Sequence, residues 1–289
     1  MNPALDGRRA LLIEQVGDDR FQGPLLALET CGKGASVALQ WPDGRIVSAD
    51  TAPAIGSART LAPAIAAILK ENSVVAQDLV AIAVTVGPGS FTGLRVGVAM
   101  AKTMAYALKI PTIAVDSLET LAWKAYQTLC LNDSDSQIDE PFYVWNVLDA
   151  YRGELFAALW KIHRSELDGS VSYEAIVPSH LVDCASWTRS CLDEARIPQK
   201  SLVSGDRRML DRRNVALVGP GLFRCKEFLD ADQLQRIRLH PEFGPHALMA
   251  AGIARQQLSR GQTTDPFQLM PVYLRGSAAE EKLSNRVKL

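Results

Sequence analysis

Histidine is scarce. Only His163, His180, His240 and His246 occur in 289 residues. None stands in H-x-x-x-H or H-E-x-x-H spacing, and the stretch PEFGP separates His240 from His246. That pattern argues against a histidine-ligated metal centre. Cysteine is also sparse: Cys31, Cys130, Cys184, Cys191 and Cys225, with no C-x-x-C pair. An odd, scattered set reads as small buried thiols in a reducing compartment, not as a disulfide framework. Excess charge of either sign is missing. Lys and Arg total 31 against 32 Asp and Glu, a net charge of -1. The chain as a whole therefore has no electrostatic pull toward nucleic acid or an anionic membrane, and any RNA contact is expected to fall mainly to another subunit. No stretch reaches the roughly 18 apolar residues of a membrane span; the most apolar helix candidate carries Arg95 and Lys102. There is no G-x-S-x-G nucleophile elbow and no G-x-x-x-x-G-K-[ST] phosphate loop. Residues 1–23 carry charge throughout and lack the apolar core of a signal peptide, so they read as a loosely attached extension.

What is present is a core. Hydrophobic residues make up 47% of the chain, enough for one large or two ordinary domains. PLLALET (24–30), ASVALQW (35–41) and RIVSADT (45–51), separated by CGKG and PDG turns, read as a three-stranded meander. SARTLAPAIAAILKEN (57–72) has helical spacing at Leu61, Ile65, Ile68 and Leu69. An apolar strand (78–86), a small-residue helix (92–108), a strand (109–116) and a helix (117–130) follow. The polar run LNDSDSQIDEP (131–141) is the internal boundary. Beyond it the pattern restarts with strands at 142–150, 154–163 and 169–178, a helix at 179–195, a strand at 214–221 and a helix at 245–261 that ends at Gly261. The two halves share a topology without a visible sequence repeat, which predicts an α/β protein of two related lobes. The divisions are 1–23, 24–130, 131–275 and a charged tail, 276–289.

Three stretches can carry chemistry. GPGSFTGLR places Gly87, Pro88, Gly89, Ser90, Phe91, Thr92 and Arg95 at a helix start, where backbone N–H groups and the helix dipole favour an anion. Its glycine spacing fits neither phosphate fingerprint. Inside the helix, Gly93, Gly97, Ala101 and Ala105 recur every four residues, flanked by Leu94 and Val98. Each interior glycine costs about 1 kcal/mol relative to alanine, so a close contact should offset it. Two readings stay open here: a contact inside the chain, or a face that docks a partner. ETCGKG is the third stretch. Glu29 at a strand end could hold hydrated Mg²⁺ while the turn of Thr30, Gly32 and Lys33 meets phosphate, or the stretch is a plain β-turn.

LLALETCGKGASVALQWPDGRI, AVTVGPGSFTGLRVGVAMAKTMAYALKIPTIAVDSLETLA, VLDAYRGELFAALW and PVYLR, in this order, closely resemble the TsaB (YeaZ) family of bacteria. The resemblance runs from about Pro24 to Arg275. It implies an actin/hexokinase/Hsp70-like (ASKHA) fold of two RNase H-like lobes. It also implies a role in making threonylcarbamoyladenosine at position 37 of tRNA. The family is a paralogue of TsaD, the transferase, whose metal-binding H-x-x-x-H is absent from the matching helix SARTLAPAI. The resemblance therefore implies a non-catalytic cytoplasmic subunit that binds and activates TsaD, with the ATPase TsaE as a further partner and tRNA reached through the complex. No tightly bound cofactor is implied, although ATP or ADP with Mg²⁺ can act in the complex, and the chain alone can pair with its own copy. Carried over to this sequence, the dimer surface points to Gly93, Leu94, Gly97, Val98, Ala101 and Ala105. Gly97→Arg is then expected to abolish docking in a folded chain. Three features depart from the family: Glu29-Thr30-Cys31 replaces Asp-Thr-Ser, the stretch before Pro24 has no counterpart in the usual family start, and a basic stretch at 202–214 carries Arg207, Arg208, Arg212 and Arg213. The rival reading is a stand-alone ATPase or glycoprotease-like hydrolase on the same fold.

Overall fold

The computed structural model describes residues 21–32, 34–52, 56–129, 141–164, 171–193, 215–228 and 238–275. Lys33, the 202–214 stretch, most of the 131–141 boundary, residues 1–20 and the 276–289 tail lie outside them. An antiparallel meander comes first. β1 (Leu25–Glu29) pairs antiparallel with β2 (Ser36–Gln40), which pairs antiparallel with β3 (Ile46–Asp50). α1 (Ser57–Glu71) leads to β4 (Ala81–Gly87), parallel to β1. α2 (Phe91–Leu108) leads to β5 (Thr112–Asp116), parallel to β4. The first sheet therefore has the order β3-β2-β1-β4-β5. β1 and β4 are buried along their whole length, as expected for strands covered on both faces.

The restart seen in the sequence repeats that order. After α3 (Ser117–Leu129) come β6 (Phe142–Asp149), β7 (Glu154–Arg164) and β8 (Val171–Asp183). Then follow α4 (Cys184–Asp193), β9 (Val215–Val218), the single turn α5 (Leu222–Cys225) and β10 (Arg238–His240). The second sheet runs β10-β9-β6-β7-β8, which is the first sheet's order read from the other edge. The helix expected over 179–195 begins only at Cys184, because residues 179–183 still pair with β7 as far as Glu154↔Asp183. The strand expected from 109 begins at Thr112, because Lys109 adopts a left-handed conformation (φ 58°) and caps α2.

The helices cross between the lobes. α1 and α2 cover one face of the first sheet through Leu61, Ile65, Ile68, Val98, Ala101 and Ala105. The other face is covered by α6 (Ala247–Ser259), the last of the described helices, through Ala247, Ala250, Ala251 and Ile253. α3, which follows β5, instead packs Leu118, Leu121, Ala122 and Ala125 against the second sheet. Residues 263–275 then return along the first lobe. Thr264 bridges Thr112, and Val272 N–H donates to the Val86 carbonyl at 2.7 Å. The strands divide at 131, but each lobe in space also takes in chain from the other half.

α6 starts on an unusual cap. His246 Nδ1 accepts from Leu248 N–H at 3.0 Å, so Nε2 carries the proton and reaches Asp50 at 2.9 Å. Burial is the main cause that lowers the His246 pKa below 6.5. A base held below its unfolded value stabilises the fold above that value, and the contribution is lost as pH falls through it. His246→Asn keeps an acceptor at the cap and is expected to flatten the acid limb of stability. His246→Ala is expected to cost about 1 kcal/mol at neutral pH. Urea titrations at about pH 5 and about pH 7.5 check both; parallel losses in the two variants would contradict the cap.

Candidate functional site

GPGSFTGLR forms the junction of β4 and α2, and it leans on the end of β1. Ser90 caps α2: its Oγ accepts from Gly93 N–H at 3.3 Å, and its own N–H donates to the Cys31 carbonyl at 3.3 Å. Thr30 Oγ1 donates to the Gly93 carbonyl at 2.7 Å. A Cβ on Gly93 would collide with the Thr30 carbonyl oxygen, and one on Gly97 with Thr30 Oγ1. The small-residue face therefore lets the helix lie directly on the strand end.

This corrects the expected interface. Gly93, Leu94, Gly97, Val98, Ala101 and Ala105 are all buried within the chain. Periodicity located the stripe correctly but could not say what it touches. The close contact that offsets two interior glycines is β1, not a second protein. Gly97→Arg would drive its side chain into Thr30 and break the fold itself.

The outward side of α2 is different. Thr92, Arg95, Ala99, Thr103, Tyr106 and Ala107 are exposed, and α1 beside it exposes Ala62, Pro63, Ala66 and Ala67. This small, flat surface is edged with rings. Phe91 and Tyr273 lie 4.7 Å apart, and Tyr106 meets Phe267 edge-on at 5.4 Å. The Arg95 guanidinium sits 4.1 Å above Phe91 and its Nε donates to Tyr273 Oη at 3.1 Å. Lys102 Nζ donates to the Phe267 carbonyl at 3.3 Å. Among the described residues, ten large hydrophobics are exposed. Six of them (Phe91, Tyr106, Phe267, Met270, Val272 and Tyr273) belong to α2 or the returning strap. A monomer rarely gathers its exposed apolar side chains this way without a partner for them. The strap residues escaped the sequence reading, although DPFQLMPVY offers a signal: apolar side chains bracketed by prolines that rule out helix.

The nucleotide reading of ETCGKG fares poorly. Glu29 is buried, and its Oε1 accepts the N–H groups of Cys31 and Gly32, the latter at 3.1 Å. Burial raises its pKa from 4.5 to about 7, against the pull of those two N–H groups. A buried carboxylate whose Oε1 is turned onto two backbone N–H groups does not fit a hydrated Mg²⁺. Thr30 is fully buried and its hydroxyl is committed to Gly93; Gly32 alone of the described turn residues is exposed. The carboxylates ending β5 and β6 are engaged as well. Asp116 accepts from Leu118 N–H at 2.7 Å and from Ser179 Oγ at 2.7 Å, and Asp149 accepts from Tyr151 N–H at 2.8 Å. Among the described residues no group of three or more His, Cys, Asp and Glu is placed to hold a metal.

Between the lobes lies a set of groups that sequence reasoning missed. Asp116 caps α3, and through Ser179 it joins the first lobe to β8. Glu119 on α3 accepts a hydrogen bond from Tyr173 on β8. Burial, and then the Asp116 charge, raise its pKa from 4.5 to about 8. Ser117 Oγ donates to Cys31 Sγ at 3.1 Å, and burial pushes that thiol well above its usual range. The Asp-Ser pair at the start of a helix is a cap signal; the pairing with Ser179 and Tyr173 across the lobes leaves no local trace.

Known proteins resemble this chain over most of its length. The family model described as TsaD, tRNA N6-adenosine threonylcarbamoyltransferase, matches residues 54–283. The Bacillus subtilis protein named tRNA threonylcarbamoyladenosine biosynthesis protein TsaB is 33% identical over 172 residues, 60% of this chain and 67% of its own length. The protein of the same name from Escherichia coli is 27% identical over 263 residues, 91% of this chain and 99% of its own. The solved structure of YeaZ from Pseudomonas aeruginosa superposes with a TM-score of 0.64 at 25% identity, covering 87% of this chain and all of that one. Twin sheets of one strand order, crossed helices and these relatives agree on the ASKHA fold. The chain belongs to the TsaB family, within the wider group that the TsaD model describes.

Proposed function

We propose that this chain takes part in threonylcarbamoyladenosine biosynthesis on tRNA as a subunit that binds a TsaD-like transferase and holds it in its active state. The observation that carries the reading is the apolar, ring-edged surface of α1, α2 and the 267–273 strap. Alanines and threonines on two adjacent helices leave a shallow face on which a second helix pair can lie close. The aromatic and arginine side chains at its rim are of the kind that dominate binding energy. Activation follows as a population shift: the face binds the competent state of the transferase better than its other states. Transfer of the threonylcarbamoyl group to adenosine N6 belongs to that partner. A TsaE-like ATPase is the further partner, ATP or ADP with Mg²⁺ acts in the assembly and not on Glu29, and the setting is the cytoplasm. The same face would pair two copies of the chain when the transferase is absent.

The test places bulk and charge on the outward side of α2. Ala99→Arg with Thr103→Arg is expected to leave the thermal midpoint within a few degrees of the parent. It is also expected to remove the mixed species with the same-source TsaD-like protein in size-exclusion light scattering and to reduce transferase activity at least about a hundredfold. A folded double variant that still forms the mixed species would refute the surface. Retained transferase activity with the mixed species lost would refute activation through it.

A further inference from the structure

Two residues of GPGSFTGLR do more than start α2. Phe91 and Arg95 are one helical turn apart, so both fall on one face, and the guanidinium lies 4.1 Å above the ring. Tyr273 closes the cluster from the strap: its ring is 4.7 Å from Phe91, and its Oη accepts from Arg95 Nε at 3.1 Å. All three residues are exposed. The guanidinium is therefore braced on the outward side of the helix. Its Nε–H is committed, and among the described residues no carboxylate or other acceptor meets its two terminal nitrogens. The rest of the face has the same sign. Arg59 and Lys70 lie in line with the exposed alanines of α1, and Lys102 and the cap residue Lys109 follow Arg95 along α2. Against these five cations stand Glu71 and Asp265. Asp78, past the end of α1, is turned back onto Val75 N–H at 2.9 Å, and counting it still leaves the face positive. The chain as a whole carries -1.

We infer that this charge selects the occupant of the face: a partner whose docking surface is acidic, with one of its carboxylates taken by Arg95 in a two-pronged pair, in preference to a second copy of this chain. The inference rests on the docking surface proposed above and names what that surface accepts. A guanidinium presents two parallel N–H groups that match a carboxylate, and one already braced by a ring and a hydroxyl has little freedom left to lose. The Phe91 and Tyr273 rings would keep water from the pair once the partner is seated, which strengthens it. A second copy offers the opposite case. Two-fold pairing sets one patch against itself, so the cationic face of one copy meets the cationic face of the other. Like charges across an interface oppose it, and a surface made for one partner rejects another in this way. The alanines and threonines make the face close-fitting for either occupant; the charge tells the two apart.

The test is calorimetric titration of the full chain with the same-source TsaD-like protein, and sedimentation of the chain alone, each at about 50 and about 300 mM NaCl. Raising the salt is expected to weaken the mixed species about tenfold and to strengthen self-pairing. Arg95→Gln is expected to weaken the mixed species at least about tenfold, to flatten its salt dependence and to raise self-pairing, with the thermal midpoint within a few degrees of the parent. Arg95→Lys keeps the charge and loses the fork, so it is expected to recover the salt dependence but only part of the affinity. Arg95→Glu is expected to be rescued by a lysine in place of a carboxylate on the partner's docking surface. A mixed species that salt does not weaken, an Arg95→Gln chain that binds as tightly as the parent, or the lack of any rescuing exchange would overturn the inference. Those results would leave the docking surface standing as long as Ala99→Arg with Thr103→Arg still removes the mixed species. A double variant that keeps it, or a parent that never forms it, would take both readings down together.

Discussion

Alanine at position 93 is expected to destabilise this protein by about 3 kcal/mol or more, against the usual direction for that exchange. In a solvent-facing helix, glycine to alanine gains about 1 kcal/mol, because the helix orders less backbone freedom. Here the added methyl meets the carbonyl oxygen of Thr30. Thr30 cannot retreat, since its hydroxyl donates to the Gly93 carbonyl and its neighbour Glu29 is held by the Cys31 and Gly32 N–H groups. α2 would have to lift off β1, opening the cluster that contains Val98, Ala101 and Ala105. Thr103→Ala, on the outward side of the same helix, is expected to change stability by less than about 0.5 kcal/mol. Urea unfolding of the two variants reads the contrast directly. A Gly93→Ala protein as stable as the parent would mean that the helix does not rest on Thr30.

Glu119→Gln is expected to make the protein more stable at alkaline pH and to change little at about pH 5. Glu119 titrates near 4.5 when unfolded and at about 8 when folded, first because of burial and then because of the Asp116 charge. A raised carboxyl stabilises the fold fully below the unfolded value, and that contribution is lost as pH rises through the folded one. Between about pH 4.5 and about pH 8 the folded chain holds a proton that the unfolded chain lacks. Stability then falls by up to about 1.4 kcal/mol per pH unit from this group alone. Glu29 acts in the same sense up to about pH 7. Glutamine keeps an acceptor for Tyr173 and never ionises, so its curve should lose one proton's worth of slope across the window. Thermal midpoints at about pH 5, 7 and 9 suffice to check this. Parallel curves for parent and variant would mean that Glu119 does not stay protonated in the fold. His246 works on the acid side, where its contribution disappears below about pH 6.5. The two trends oppose each other: the carboxyls favour low pH, and His246 favours pH above about 6.5.

The strands were legible because burial and alternation are written locally. PLLALET, ASVALQW and DLVAIAVTV each announce a strand, and the restart after 141 announces the second sheet. The motif order also pointed to the right family and fold. What the sequence could not tell is which side of α2 faces inward. Gly93 and Gly97 predict a close neighbour equally well whether it is Thr30 or another protein. That choice depends on where β1 ends in space, sixty-odd residues earlier in the chain. Glu29 misled for a similar reason. A carboxylate at a strand end suits a metal site until the turn after it folds back and the Cys31 and Gly32 N–H groups take its oxygen. The Asp116–Ser179 and Glu119–Tyr173 pairs were invisible because their partners are more than fifty residues apart in the chain.

The crossed helices impose an order on the birth of the protein. On the ribosome, β1 to β5 emerge long before α6, the helix that shields Leu25, Ala27, Ala81 and Ile113. α3 emerges early but rests on strands not yet synthesised. Until residues 247–259 appear, the nascent amino-terminal half shows one apolar side of its sheet to the cell and cannot finish as an independent unit. Both lobes must therefore close almost together, and a nascent chain of this kind is exposed to chaperones for nearly the whole of its translation.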